Sequence, residues 1–212
     1  MKRIVIFFTC AIATLCMPIQ AYSQKLESIF LSVSENRSIA IQKNSFNISF
    51  KSTLGLSDDY YFKQHDSAAS AKRTNTVDAL GYTHIRYLQY YKGIKVEHAD
   101  IRAHFLGGEL YSVNGEYIKA AEIDTSVSIS KIDAVKIAKL FFAARHTVDT
   151  ASLKSFYQAP EMVLCNNRLN VDDTLLHVAF KIDLYSTEKF VHEYVYVEAK
   201  NGEIRRNGQK LG

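Results

Sequence analysis

Residues 82–118, YTHIRYLQYYKGIKVEHADIRAHFLGGELYSVNGEYI, decide the fold. Ile101, Ala103 and Phe105 share one face of an extended chain, and Arg102, His104 and Leu106 share the other. This period of two, with abundant tyrosine, valine and isoleucine, describes strands with one buried side. Lys92-Gly93 and Gly107-Gly108 fall between the apolar runs, and the second pair is placed as a two-residue hairpin turn requires. The stretch therefore predicts three antiparallel strands in succession.

Working outward, Leu54-Gly55-Leu56-Ser57-Asp58-Asp59 reads as a helix end or turn feeding a strand over 60–63, and Leu26 to Leu31 is compatible with a helix. The polar run 66–81, DSAASAKRTNTVDALG, reads as a surface loop. Downstream, Ser130 and Asp133 stand as a helix-start capping pair, and Ala134, Ile137, Ala138 and Phe141 recur at helical spacing. Strands follow at 160–164, 175–186 and 190–199, closed by Asn201-Gly202. One helix followed by an antiparallel meander is an α+β module. The whole chain reads as two small units, each an antiparallel sheet carrying one or more helices.

The amino terminus carries Lys2 and Arg3, an apolar run over 4–17, and small residues at Ala21 and Ser23. This pattern predicts a secretory signal peptide at 1–23, cleaved near Ser23, and an exported product with no stable membrane span. Two of three cysteines, Cys10 and Cys16, lie in that segment, so Cys165 alone would remain and is expected to be a packed hydrophobe. The formal charge of +4 falls to +2 without Lys2 and Arg3, and the basic residues are interspersed with acids. That distribution gives nucleic-acid binding no support.

"VHEYVYVE", residues 191–198, contains His192-Glu193 but Tyr196 where a zinc-protease helix has its second histidine. The stretch alternates: Val191, Glu193, Val195 and Val197 on one face, His192, Tyr194, Tyr196 and Glu198 on the other. H-E-x-x-H works through helical geometry, which a strand does not provide. None of the seven histidines stands at metal-ligand spacing, and no phosphate loop or nucleophile elbow is present. The expectation is a chain with no cofactor, no metal and no catalytic residues of its own.

The run DALGYTHIRYLQYYKGIKVEHADIRAHF resembles the pro-region of secreted thermolysin-like zinc metalloproteases, the bacillolysin group, which share it with fungalysins. Gly81, Thr83, His84, Arg86, Tyr87, Gln89, Tyr91, Lys92, Gly93 and Val96 fit the family pattern. Leu88, Lys95 and His98 depart from it, standing where glutamine, proline and glycine are frequent. The second half resembles the PepSY domain that follows in such pro-regions. The resemblance implies a propeptide-like domain over 24–122, a PepSY-like domain over 127–206, a tail over 207–212, and a cystatin-like/PepSY-like fold. It also implies a partner: the catalytic domain of a thermolysin-like zinc metalloprotease, in cis or in trans, which the pro-region helps to fold and holds inactive. The competing expectation is an exported PepSY-type binding module with no protease partner. Tyr87, Tyr90 and Tyr91 could anchor such docking or pack the sheet. His84 and Arg86 share a face, where a neighbouring acid such as Asp100 could hold them.

Overall fold

A computed structural model describes residues 26–32, 46–65, 77–119, 122–155, 159–166 and 175–209. Strand β1 (Leu26–Ser32) and helix α1 (Phe46–Thr53) precede β2 (Tyr60–Gln64), β3 (Tyr82–Tyr91), β4 (Ile94–Leu106) and β5 (Glu109–Ile118). Helix α2 (Lys131–His146) and a 3-10 turn (Thr150–Ser152) then lead into β6 (Lys154–Ser155) and β7 (Glu161–Asn166). Strands β8 (Leu176–Ser186), β9 (Val191–Glu198) and β10 (Ile204–Gln209) complete the order. The result is α+β, as the sequence predicts. The signal-peptide segment, most of the 66–81 loop and the adjacent acids Asp172-Asp173 lie outside the described residues.

The strands form one hydrogen-bonded sheet whose main path runs β1-β5-β4-β7-β8-β9-β10, with β2 on β3, β3 on β4 and β6 on β8. Strand β4 joins its halves. On one edge, its residues 101–106 pair antiparallel with β5, while Lys95 and Val96 pair parallel with Val163 and Leu164 of β7. Between those two stretches β4 bulges. Leu88 faces Asp100 but Tyr90 faces Lys95, so β4 spends three more residues than β3 there. His98 sits in the bulge at φ 66°, a left-handed conformation that glycine adopts more readily.

Both hairpin turns are as read. Lys92-Gly93 and Gly107-Gly108 have positive φ at both positions, the geometry of a type I′ turn. Helix α1 ends in paired bonds, Leu56 N–H to the Lys51 carbonyl and Gly55 N–H to that of Ser52, with Gly55 left-handed. Its Phe46 and Phe50, one turn apart, bury against the sheet: Phe46 stacks on Tyr87 at 4.4 Å and meets Phe105 edge-on at 5.8 Å. Helix α2 starts where Ser130 accepts the Asp133 N–H, and it buries Ala134, Ala138 and Phe142 on β8 and β9. Ile137 and Phe141 flank that stripe half-buried, so the deepest aromatic is one residue beyond the one expected. One continuous core cluster runs from Phe46 to Ala199 through Val96 and Leu164. Cys165 is buried in a small second cluster with Val163, Ala179 and Tyr196.

One expectation fails. Leu26–Ser32 is not helical but pairs along its whole length with β5, Leu26 to Ile118 through Ser32 to Ser112. LESIFLS supports both a helical i, i+3 spacing and strand alternation, and the available edge of β5 selects the strand.

Candidate functional site

Strand alternation divides the motif residues between two sides. Ile85, Tyr87, Gln89 and Tyr91 of β3 point into the core, and Tyr87 and Tyr91 are buried there rather than displayed. Burial pushes the Tyr87 phenol up to about 12, because a phenolate would be poorly solvated there. Tyr91 packs on Tyr60 at 4.8 Å, and its hydroxyl oxygen accepts the Ile123 N–H at 3.4 Å. Gln89 substitutes for a missing stretch of strand. Its Nε2 donates to the Ile118 carbonyl at 2.7 Å, and the Ile118 N–H donates to its Oε1 at 2.8 Å. This side chain, fully buried, thereby satisfies the main chain at the end of β5. Val96 is buried where β4 meets β7, and Thr83 pairs with Phe105 near the end of β3.

His84 and Arg86 alternate to the opposite side, which among the described residues is helix-free. Arg86 Nη2 lies 2.7 Å from Asp100 Oδ2, the partner expected from sequence. His84 binds Asp78 through Nε2 at 2.9 Å and faces the His104 ring through Nδ1. Lys92 holds Asp59 at 3.6 Å, and Gly81 and Gly93 carry positive φ in their turns. Tyr90 stacks on Tyr61 at 5.0 Å, while Tyr82 meets Tyr111 edge-on at 5.1 Å. Tyr61, Leu80, Leu106, Tyr111 and Arg102 are exposed on or beside this face. It is an aromatic and charged surface on a rigid sheet.

The face continues across β4 into the second half, where sequence reading found no site residues. Glu97, with 5% of its side chain exposed, binds Lys95 at 2.9 Å and Lys181 at 3.0 Å and accepts the Tyr196 hydroxyl at 3.0 Å. Burial alone would raise the Glu97 carboxyl, but Lys181 and Lys95 outweigh it and hold the group down at about 2. Lys181 also lies 4.4 Å from the centre of the Tyr194 ring. Beyond it, Glu198 binds His177 at 2.9 Å and Arg205, and Asp183 binds His192. On the other side of β9, under α2, Glu193 lies 3.2 Å from His146. His192 and Glu193 thus point to opposite sides with different partners, as the alternation requires. Lys95, Lys181 and Arg205 stand directly against the carboxylates of Glu97 and Glu198.

Residues 71–117 match the Fungalysin/Thermolysin Propeptide Motif family. The matched stretch takes in β3, β4 and nearly all of β5, with the buried anchors Tyr87, Gln89, Tyr91 and Val96 and the exposed Leu80, Arg102, Leu106 and Tyr111. No curated protein matches the chain. Among solved structures it is similar to the Bacillus megaterium YpeB C-terminal domain, at 9% identity and a TM-score of 0.38. That likeness covers 71% of this chain and 57% of that one, so the chain spans less than two thirds of it, and it is too distant to indicate function. Among the described residues no helix is long and apolar enough to cross a membrane.

Proposed function

We propose that the chain serves as the propeptide of an exported thermolysin-like zinc metalloprotease, assisting the folding of the catalytic domain and covering its cleft, in cis or in trans. The carrying observation is the family match over 71–117, which takes in β3, β4 and nearly all of β5. A template that lowers a folding barrier suits a large, slowly folding protease, and inhibition before release suits an exported one. In this reading, Tyr87, Gln89, Tyr91 and Val96 act by building the fold, whereas His84, Arg86 and Lys92 belong to the displayed surface. Tyr61, Tyr111, Leu106 and Arg102 supply the aromatic, apolar and basic groups that favour protein docking. The PepSY-like second half extends the same surface across Glu97 and Lys181.

The test is to mix the purified chain with thermolysin-like zinc metalloproteases and follow cleavage of a short peptide substrate, together with recovery of activity when the denatured catalytic domain is refolded in its presence. Saturable inhibition and a higher refolding yield are expected. A folded chain that does neither at about 10 µM, where affinities of −7 kcal/mol or better would be visible, overturns the proposal. Recovery of a non-protease partner by the same folded chain would favour the binding-module reading.

A further inference from the structure

The cross-strand histidines His84 and His104 present an arrangement that hydrogen bonding between neutral groups does not satisfy. They are direct partners on β3 and β4, and their Nδ1 atoms face one another at 2.6 Å. Each ring's other nitrogen is directed at an oxygen: His84 Nε2 at Asp78 Oδ2, 2.9 Å, and His104 Nε2 at Asn114 Oδ1, 3.1 Å. Asp78 is itself fixed, since its Oδ1 accepts the N–H groups of Leu80 and Tyr82, both at 2.9 Å. A carboxylate only accepts, so His84 Nε2 carries the hydrogen, and with Asn114 presenting its oxygen His104 Nε2 carries one too. In neutral imidazoles that leaves a bare lone pair on each Nδ1, and the two lone pairs point together. A cation between them removes the conflict.

We propose that His84 and His104 bind a late first-row divalent cation, with Zn²⁺ as the representative, through their Nδ1 atoms. Imidazole suits these ions, and an outer acceptor on the second ring nitrogen is the usual support of a metal-bound histidine. Asp78 and Asn114 already provide it on both rings. Zinc–nitrogen bonds of about 2.0–2.1 Å at a tetrahedral angle place the two nitrogens about 3.3 Å apart. The pair must therefore open by roughly 0.7 Å and each ring must turn from its head-on approach towards the tetrahedral angle, which the surface position allows, 45% of the His84 side chain being exposed. Two protein ligands leave positions for solvent on the ion, which then exchanges readily. The site sits on the helix-free face but does not depend on the protease reading.

The experiment uses the full chain without an added histidine tag, titrated with Zn²⁺ by calorimetry and by ¹⁵N NMR of the imidazole nitrogens. One Zn²⁺ per chain is expected, moving both Nδ1 signals while both Nε2 stay protonated. Either His84→Ala or His104→Ala should weaken binding by about tenfold or more, and His65→Ala should not. Circular dichroism confirms folding of each variant, and the wild-type NMR result stands whether or not a variant folds. Three results overturn the proposal: no binding up to about 1 mM, about −4 kcal/mol; binding that survives both substitutions; or imidazole signals that respond to acid together but not to Zn²⁺, which would identify a shared proton as the only cation.

Discussion

Replacing Gln89 separates its role as a strand substitute from simple packing. Gln89→Leu keeps the volume and burial but leaves the N–H and carbonyl of Ile118, now bonded at 2.8 and 2.7 Å, without partners. Each orphaned buried group costs about 1–3 kcal/mol, partly offset by the added apolar surface, so a net loss of about 2–4 kcal/mol is expected. That corresponds to a fall in Tm of roughly 5–15 °C for a chain of this size. Urea unfolding followed by circular dichroism measures it. Gln89→Glu supplies the decisive contrast. Ionised, it sets a carboxylate oxygen against the Ile118 carbonyl; protonated, its O–H replaces the lost N–H and both bonds return. Its folded pKa is therefore raised above the unfolded value of about 4.3. The carboxyl's contribution is present below the unfolded pKa and lost as pH rises through the folded one. Measured against wild type, the Gln89→Glu deficit should be large at neutral pH and shrink on acidification, while that of Gln89→Leu stays flat. A Leu loss below about 1 kcal/mol, or a Glu deficit indifferent to pH, would refute the two-bond account.

Glu97→Gln should cost about 3 kcal/mol at neutral pH, judged from a carboxyl held at about 2 against an ordinary 4.5. The wild-type advantage is present above pH 4.5 and should disappear as pH falls towards 2, visible as converging urea midpoints. Gly115→Ala should destabilise by about 2–4 kcal/mol, because a Cβ there would lie 2.3 Å from the Asp100 carbonyl oxygen and 2.7 Å from Ile101 Cα. A melting point within 2 °C of wild type, a shift of only about 0.5–1 kcal/mol, would contradict this. His98→Gly relieves the left-handed residue of the β4 bulge and should stabilise by about 0.5–1 kcal/mol, read in the same urea titration.

Where contacts are local in sequence, the chain is legible. Alternation over 101–106, the Gly107-Gly108 turn, the Ser130 cap and the Asn201-Gly202 turn each depend on neighbours a few residues apart, and the structure follows them. Arg86 with Asp100 was named from face and proximity alone; the register that brings them together is set by the β4 bulge, which the turn does not encode. Leu26–Ser32 was not, because only the distant edge of β5 distinguishes strand from helix there. Nor was the parallel contact of Val96 with Leu164, which no short-range pattern encodes. The Gln89–Ile118 bonds, Glu97 with Lys181, and the facing His84 and His104 join residues 20 to 84 positions apart. Metal-ligand spacing rules describe helices and tight loops, so a cross-strand histidine pair escapes them.

The most direct test of the proposed function is a hydrogen-exchange footprint of the chain bound to a thermolysin-like catalytic domain, compared with the free chain. Protection concentrated on the displayed strands β3 to β5, and weakened by Arg102→Glu with Tyr111→Asp at unchanged stability, is the result expected. Saturating protease that leaves the exchange of β3 to β5 unaltered, or binding indifferent to that double substitution, would contradict it.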